Sequence, residues 1–325
     1  MGHALELAAR EVLGTVDLAS GPLAVLALGR LGTGEMDIGS DADLIFVVDE
    51  HLAAEHREPW RRLAERLVQV AGSHTREGLL FPVDARLRPR GSEGEIVQSA
   101  GYLRSYFRTE AEAWEAATFL KARPVAGNLA LGTEAVRQVY AILAERFSSP
   151  GELARQMAQT RERLEKAHLG IAGADGARAS STKGNFKKIS GGYYDVEYIL
   201  AFLFLTRILP GSVETGRPFR VESRGHVLRQ IAALESAGTE ASGLTTAQAQ
   251  ILRAAALLYR SLDHALRLVT GRPSNQLPEP ALAERVTRLL QGWRLPLPEG
   301  LEPAVESARH QIRALYEQIV LAALP

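Results

Sequence analysis

Asp41 and Asp43, two positions apart at the head of an apolar run, and Asp84, in a later alternating segment, are the acids best placed to do chemistry together. Residues i and i+2 of a strand project to the same side, so Asp41 and Asp43 can share a cation. A neighbouring strand would bring Asp84 to the same edge. Three clustered carboxylates suit Mg2+, which takes few carboxylates and keeps positions for water and phosphate oxygens. Upstream, Gly29-Arg30-Leu31-Gly32 follows another apolar run, and glycines there let backbone N–H groups approach phosphate oxygens. Ser40 adds a hydroxyl donor. Arg86 and Arg88 share the polar face of Asp84 and offer planar donors to a polyphosphate. The conjunction describes phosphoryl-type chemistry with two metal ions. Each part alone has a plainer explanation: Asp-x-Asp pairs are common where strands begin, and GRLGTG matches neither the dinucleotide fingerprint nor the P-loop.

These residues need strands to hold them. Leu23–Leu28 and Leu44–Val48 are short continuous apolar runs, the pattern of strands covered on both faces. The glycine- and acid-rich stretch between them is expected to be loop. Residues 59–76 place Leu63, Leu67 and Val70 at helical spacing behind an N-terminal proline. Phe81 to Arg88 alternates, predicting one strand with Asp84, Arg86 and Arg88 on its polar face. Pro89 ends it, and Ile96–Gln98 is the expected hairpin partner. A helix is expected near 101–122, and further helices at 151–168, 193–209, 224–236, 246–270, 280–292 and 301–323. Residues 170–192, small, polar and glycine-rich, are expected to form a mobile loop. The pattern predicts an α+β domain at 1–148 with a mixed sheet and helices, then an all-α helical-bundle domain at 149–325.

Length and charge narrow the function classes. At 325 residues, two domains each have room for a core. The 38 basic residues balance the 38 acidic ones, so no basic excess marks a nucleic-acid binder. No run approaches the ~20 apolar residues of a membrane span, and the first residues lack the basic-then-apolar order of a signal peptide, so a cytoplasmic protein is expected. With no cysteine, any metal must sit on oxygen or imidazole. Lysine occurs only at 121, 166, 183, 187 and 188; the remaining basic residues are arginine. A chain that avoids lysine draws attention to the few it keeps, because a compact ammonium and a planar guanidinium are not equivalent at a phosphate.

The run LALGRLGTGEMDIGSDADLIF at 26–46 resembles the signature of the glutamine synthetase adenylyltransferase/deadenylylase family, within the polymerase-beta-like nucleotidyltransferase superfamily. The resemblance continues in order through VDARLRPRGSEGEIVQS at 83–99, WEAATFLKARPVAG at 114–127, NFKKISGGYYDVEY at 185–198 and LYRSLDHALRL at 258–268. It implies that Asp41, Asp43 and Asp84 bind two Mg2+ ions, that ATP is the nucleotide, and that AMP moves to a tyrosine hydroxyl of glutamine synthetase or is removed again with phosphate. It places Gly29, Arg30, Gly32, Ser40, Arg86, Arg88, Lys121 and Arg123 at the nucleotide. Glu115, Lys187, Asp195 and Glu197 are candidates for an interdomain or substrate site. A PII-type signalling protein is an implied partner. The chain departs from the family at Arg30, where lysine is usual, at Ala116, Ala117 and Thr118 after the Trp-Glu pair, and at Tyr193 to Tyr198, which lacks the usual arginine.

Plainer roles remain open for several of these. Asp195 and Glu197 follow Gly191-Gly192 at a helix start, where acids favour the positive end of the dipole. Glu115 is either a helix-surface acid or a residue that orients Lys121 or Arg123. Lys187, with Lys183 and Lys188, is either functional or part of a solvated cluster. His264 lies in an apolar stripe with Leu258, Leu262, Ala265 and Leu268 and reads as structural, while His51, His56 and His74 read as surface residues. Two other functions compete: a nucleotidyltransferase acting on another protein or a small molecule, and a nucleotide-sensing module without turnover.

Overall fold

Strands without a polar face need cover on both sides, and this requirement organises the first of two units. The computed structural model describes residues 1–14, 17–76, 78–79, 81–173, 185–214 and 226–325. One unit comprises Met1–Met36, Ser40–Arg146 and Ser212–His226; the other comprises Asp37–Gly39, Phe147–Gly211 and Val227–Pro325.

In the first unit the order is α1 (Gly2–Leu13), β1 (Leu23–Ala27), α2 (Gly29–Thr33), β2 (Ala42–Val48), α3 (Glu58–Ala71), β3 (His74–Thr75), β4 (Gly78–Leu79), β5 (Val83–Asp84), β6 (Val97–Ser99), α4 (Ala100–Thr109), α5 (Ala113–Phe119), β7 (Arg123–Gly127) and α6 (Leu129–Arg146). Strands β3 and β4 form a separate two-stranded pair. The main sheet has the order β5-β2-β1-β7, with β6 pairing β2 as well. Strand β1 runs antiparallel to β2 and β7, whereas β5 and β6 run parallel to β2, making the sheet mixed. One face of the sheet, through Leu23, Val25, Leu44, Phe46 and Val48, joins Leu5 and Ala8 of α1 and Leu63 and Leu67 of α3 in one core. The alternate residues Ala24, Leu26, Ile45 and Val47 are equally buried. Gly132 of α6 lies against this second face, where a Cβ would stand 3.2 Å from both Ala24 Cβ and Leu26 Cδ2.

Four local expectations fail. Only Val83 and Asp84 of the 81–88 segment are paired, because the Arg86 N–H donates to Asp84 Oδ1 at 2.8 Å and turns the chain. Val97–Ser99 pairs β2 in parallel and makes no hairpin with β5. Gly29–Thr33 is a helical turn where loop is expected. The helix near 101–122 is two helices, the second restarted by a capping box in which Glu112 and Glu115 satisfy each other's backbone N–H. Helices α1 and α6 and strand β7 are not among the elements expected from the sequence.

The second unit is helical: α7 (Pro150–Gly173), α8 (Tyr193–Leu203), the start of α9 (Leu209–Glu214) as far as Gly211, α10 (Val227–Ala237), α11 (Thr239–Ser242), α12 (Thr246–Thr270), α13 (Pro280–Gly292) and α14 (Leu301–Ile319). A π-turn at Phe204–Ile208 joins α8 to α9. Residues 174–184 of the expected glycine-rich loop, Lys183 included, lie outside the described residues, as do 224 and 225 at the start of an expected helix. Helix α12 opens on a Thr245/Gln248 capping box and ends at Gly271 with φ +71°. Its buried face is Leu252, Ala256, Tyr259, Leu262 and Leu266; Leu268, placed by the sequence in that stripe, is exposed instead. Among the described residues no helix is long and apolar enough to cross a membrane.

Candidate active site

The carboxyl end of β1 and the start of β2 meet at a single ladder bond, the Leu28 N–H donating to the Asp43 carbonyl at 2.9 Å. That bond sets Gly29 directly beside the Asp43 side chain. A Cβ on Gly29 would fall 2.0 Å from Asp43 Oδ2, and its φ of +51° is one that L side chains resist. Gly32 is equally confined, since a Cβ there would stand 2.2 Å from the Lys121 carbonyl oxygen. The two glycines of the GRLG stretch therefore let the α2 turn close on β2 and on the segment carrying Lys121. Arg123 secures the same turn, donating from Nη2 to the Leu31 carbonyl at 2.8 Å and from Nε to the Gly32 carbonyl at 3.1 Å.

Register completes the acid cluster. Asp43 and Asp84 are direct partners across the parallel β2–β5 pair, and the Ala42 N–H donates to the Pro82 carbonyl at 2.8 Å. Asp43 is pushed up to about 6, first by burial and then by the charges of Asp84 and Asp41, against the opposing pull of Lys121 and Arg86. Asp84 lies below the usual carboxylate range because Arg86 grips it, with Nε 3.0 Å from both oxygens and Nη2 2.6 Å from Oδ2. Asp41 is exposed. Among the described residues no three acids or histidines stand in ready metal-binding geometry. The donor set nevertheless fits a hard divalent cation: three neighbouring carboxylates, one of them pushed up by burial and by the charges of the other two, are relieved by positive charge. Arg86 supplies that charge to Asp84 here, and its exposed side chain has room to withdraw.

The remaining sequence candidates are distributed unevenly. Lys121 lies within electrostatic reach of Asp43. Its turn is fixed by the Lys121 N–H bonding the Thr118 carbonyl at 3.1 Å and by Tyr140 Oη donating to the Leu120 carbonyl at 2.9 Å. Arg30 Nη1 donates to the buried Ser40 hydroxyl at 3.0 Å. Arg88 spends its guanidinium on the carbonyls of Ala85, Gly94 and Ser92, bracing the turn after β5. Glu115 accepts from Tyr106 Oη at 2.6 Å and from the Glu112 N–H at 2.8 Å, and so closes the start of α5.

Lys187, Asp195 and Glu197 belong to the helical unit. Lys187 Nζ pairs Asp263 Oδ1 at 2.9 Å. Asp195, fully buried in the first turn of α8, pairs with Arg161 and accepts the Gly191 N–H at 2.7 Å. Glu197 is half-buried two residues further on. Sequence reasoning passed over Asp37, Asp263 and Arg267. His264, read as structural, is partly exposed, with Nδ1 2.9 Å from Asp37 Oδ1. The sequence signs of this group are the LYRSLDHALRL segment at 258–268 and, within it, the i, i+4 spacing of Asp263 and Arg267.

Residues 3–138 match the family model for glutamate-ammonia ligase adenylyltransferase, and residues 153–320 the model for GlnD PII-uridylyltransferase. The bifunctional glutamine synthetase adenylyltransferase/adenylyl-removing enzyme of Chromobacterium violaceum is 31% identical over 283 residues, 86% of this chain and 28% of the relative. The chain belongs to the glutamine synthetase adenylyltransferase family. Its helical half belongs with the family that the uridylyltransferase model describes. Relatives of the same name from Hahella chejuensis and Nocardia farcinica are 28% and 31% identical over 79% and 85% of this chain. The chain spans 25%, 28% and 26% of the Hahella, Chromobacterium and Nocardia proteins. In this adenylyltransferase-family chain, segments 26–46 and 83–99 supply the three aspartates, and segment 114–127 supplies Lys121 and Arg123.

Proposed function

We propose that this chain is a Mg2+-dependent nucleotidyltransferase that moves AMP between ATP and a tyrosine hydroxyl of glutamine synthetase. The observation that most supports this reading is the register that sets Asp43 beside Asp84, with Asp41 two residues earlier, and Asp43 raised to about 6 by burial and then by these acidic neighbours. Residues 1–148 are the catalytic domain, of the polymerase-beta-like nucleotidyltransferase type, and 149–325 the helical domain. The names of the relatives support an adenylyl group as what is moved and glutamine synthetase as acceptor; ATP as donor and a cytoplasmic setting are part of the proposal. The match of 153–320 to a PII-uridylyltransferase model supports a link to a PII-type signalling protein.

Asp41, Asp43 and Asp84 would hold two Mg2+ ions, which neutralise phosphate charge and favour the ionised form of the attacking hydroxyl. Around them the chain's own groups divide the work. Gly29 and Gly32 keep the α2 turn close enough for its backbone to meet the nucleotide, and Arg123 holds that turn in place. Lys121 brings a compact positive charge to the acid cluster, and Arg30 with Ser40 lines the approach from α2 to β2. Arg86 exchanges Asp84 for the triphosphate, so its charge moves from acid to substrate as the site fills. In the forward direction the tyrosine oxygen forms a bond to the α-phosphorus, the bond to pyrophosphate breaks and the hydroxyl proton leaves. In the reverse direction a phosphate oxygen attacks the same phosphorus, giving ADP and the free tyrosine.

The deciding experiment incubates the chain with labelled ATP, Mg2+ and glutamine synthetase and locates AMP on tyrosine by mass spectrometry. Adenylylated glutamine synthetase with phosphate reads the opposite direction. Asp43→Asn lowers either activity by at least ~10²-fold. Nucleotide binding that persists in excess chelator, with no transfer to any acceptor, would instead identify a sensing module.

A further inference from the structure

Asp37, Ile38 and Gly39 pack as part of the helical unit, although they immediately precede Ser40 and the aspartates of β2. Three residues of this unit, His264, Arg267 and Pro273, bear on this short segment. The His264 ring donates from Nδ1 to Asp37 Oδ1 at 2.9 Å while stacking on Trp293 with centroids 5.3 Å apart. Arg267 Nη1 donates to the Ile38 carbonyl. At Gly39, φ is +66° and a Cβ would lie 3.1 Å from Pro273 Cδ, so the backbone is confined there too.

Arg267 is itself oriented. Its Nε donates to Asp263 Oδ2 at 3.2 Å, and Asp263 Oδ1 accepts from Lys187 Nζ at 2.9 Å. Asp263 is completely buried and Arg267 only 5% exposed. A buried ionic chain is a poor source of stability, because desolvation offsets much of the attraction. What this one delivers is a guanidinium fixed on a single backbone carbonyl, three residues before Asp41 and five before Asp43. Metal ligands in a transferase must be held to a fraction of an ångström, and a 1 Å error costs on the order of 10²-fold.

We propose that Lys187, Asp263, Arg267 and His264 are positioning residues for the catalytic aspartates. They clamp Asp37–Gly39 and so set how the chain delivers Asp41 and Asp43 into β2. Lys187 thereby acts as the far anchor of a relay and makes no contact with phosphate. The assignment rests on the reading of Asp41 and Asp43 as cation ligands.

The test compares the full chain with its His264→Phe and Arg267→Met variants. Phenylalanine keeps the stacking on Trp293 and deletes only the N–H; methionine fills the arginine's place without its donors. The expected result is amide hydrogen exchange at residues 38–43 faster by at least ~10-fold, with exchange in the Leu252–Leu266 part of α12 unchanged. Mg2+ affinity, measured by calorimetry with a non-hydrolysable ATP analogue, weakens by ~10-fold, and kcat for AMP transfer falls more than KM for ATP rises. Asp37→Asn, which keeps an oxygen for the His264 N–H, changes exchange less than Asp37→Ala. Should Arg267→Met fail to fold, His264→Phe alters a partly exposed side chain and carries the comparison alone. Unchanged exchange and Mg2+ affinity in a folded His264→Phe protein overturn the clamp. Failure of the wild-type chain to transfer AMP would instead count against the proposed activity, since exchange and Mg2+ binding read the clamp independently of turnover.

Discussion

Gly29 and Asp43 constrain one another, and each can be tested through the other. A methyl group on Gly29 would overlap Asp43 Oδ2, and the positive φ adds backbone strain of about 1–2 kcal/mol. Gly29→Ala is expected to fold with that loss in urea titrations and to weaken Mg2+-dependent nucleotide binding by ~10-fold or more, because the carboxylate must turn away. Asp43 offers a second test through pH. Its folded value of about 6 lies above the 3.8 of an ordinary aspartate, so the folded state disfavours the ionised form. Its contribution is therefore present at low pH and is lost as pH rises through 4 to 6. In metal-free buffer at pH 7.5, Asp43→Asn should be more stable than wild type by on the order of 2 kcal/mol, and the gap should close toward pH 4. A stability gap that stays flat with pH would contradict the crowded-acid account. The pairing of Asp43 with Asp84 agrees with the expectation, drawn from spacing and apolar flanks, that a neighbouring strand brings these acids together. The partners of Arg88 were not legible in the sequence, since its acceptors are carbonyls created by the turn it braces.

At the scale of elements, helices were easier to place than short strands. Residues 246–270 and 280–292 match α12 and α13 end to end, because long amphipathic patterns with caps are local signals. The 81–88 alternation promised a full strand, yet Asp84 accepts from the Arg86 N–H and ends β5 after two residues. The GRLGT turn was hidden by its glycines, whose purpose appears only when β2 and Lys121 crowd against them. In the helical unit, the start of α8 depends on a buried pair. Arg161 Nη2 donates to the Ile189 carbonyl at 2.7 Å while Nε pairs with Asp195, and Tyr259 Oη donates to the Gly191 carbonyl at 2.8 Å. Arg161→Met leaves Asp195 buried with no charge partner on α7 and should destabilise by about 3–5 kcal/mol in denaturant unfolding. A loss below 1 kcal/mol would show that Arg313, 4.0 Å from Asp195 Oδ2, neutralises the acid alone.

For the whole molecule, the expectations concern linkage between site and stability. A ligand that binds only the folded protein adds about 2.7 kcal/mol at 100 times its Kd. Mg2+ with a non-hydrolysable ATP analogue should therefore raise the Tm by several degrees, and chelator should abolish the shift. An equal shift with nucleotide and chelator would remove the aspartates from the binding site. The neutral net charge of the chain agrees with the proposed site, which would handle nucleotide charge locally through bound cations, Lys121 and arginines.

Sequence was sufficient for whatever depends on near neighbours: the mixed first half, the helical second half, the Asp-x-Asp pair and the shortage of lysine that singled out Lys121 and Lys187. Periodicity, capping and strand alternation act over a few residues, so they survive in a one-dimensional reading. Partnership across long separations does not. Lys187 meets Asp263 at a separation of 76 residues, Asp37 meets His264 at 227, and Arg123 reaches Gly32 at 91. Those contacts exist because burial forces charged and polar groups to find partners wherever packing brings them together, and packing is a property of the folded chain.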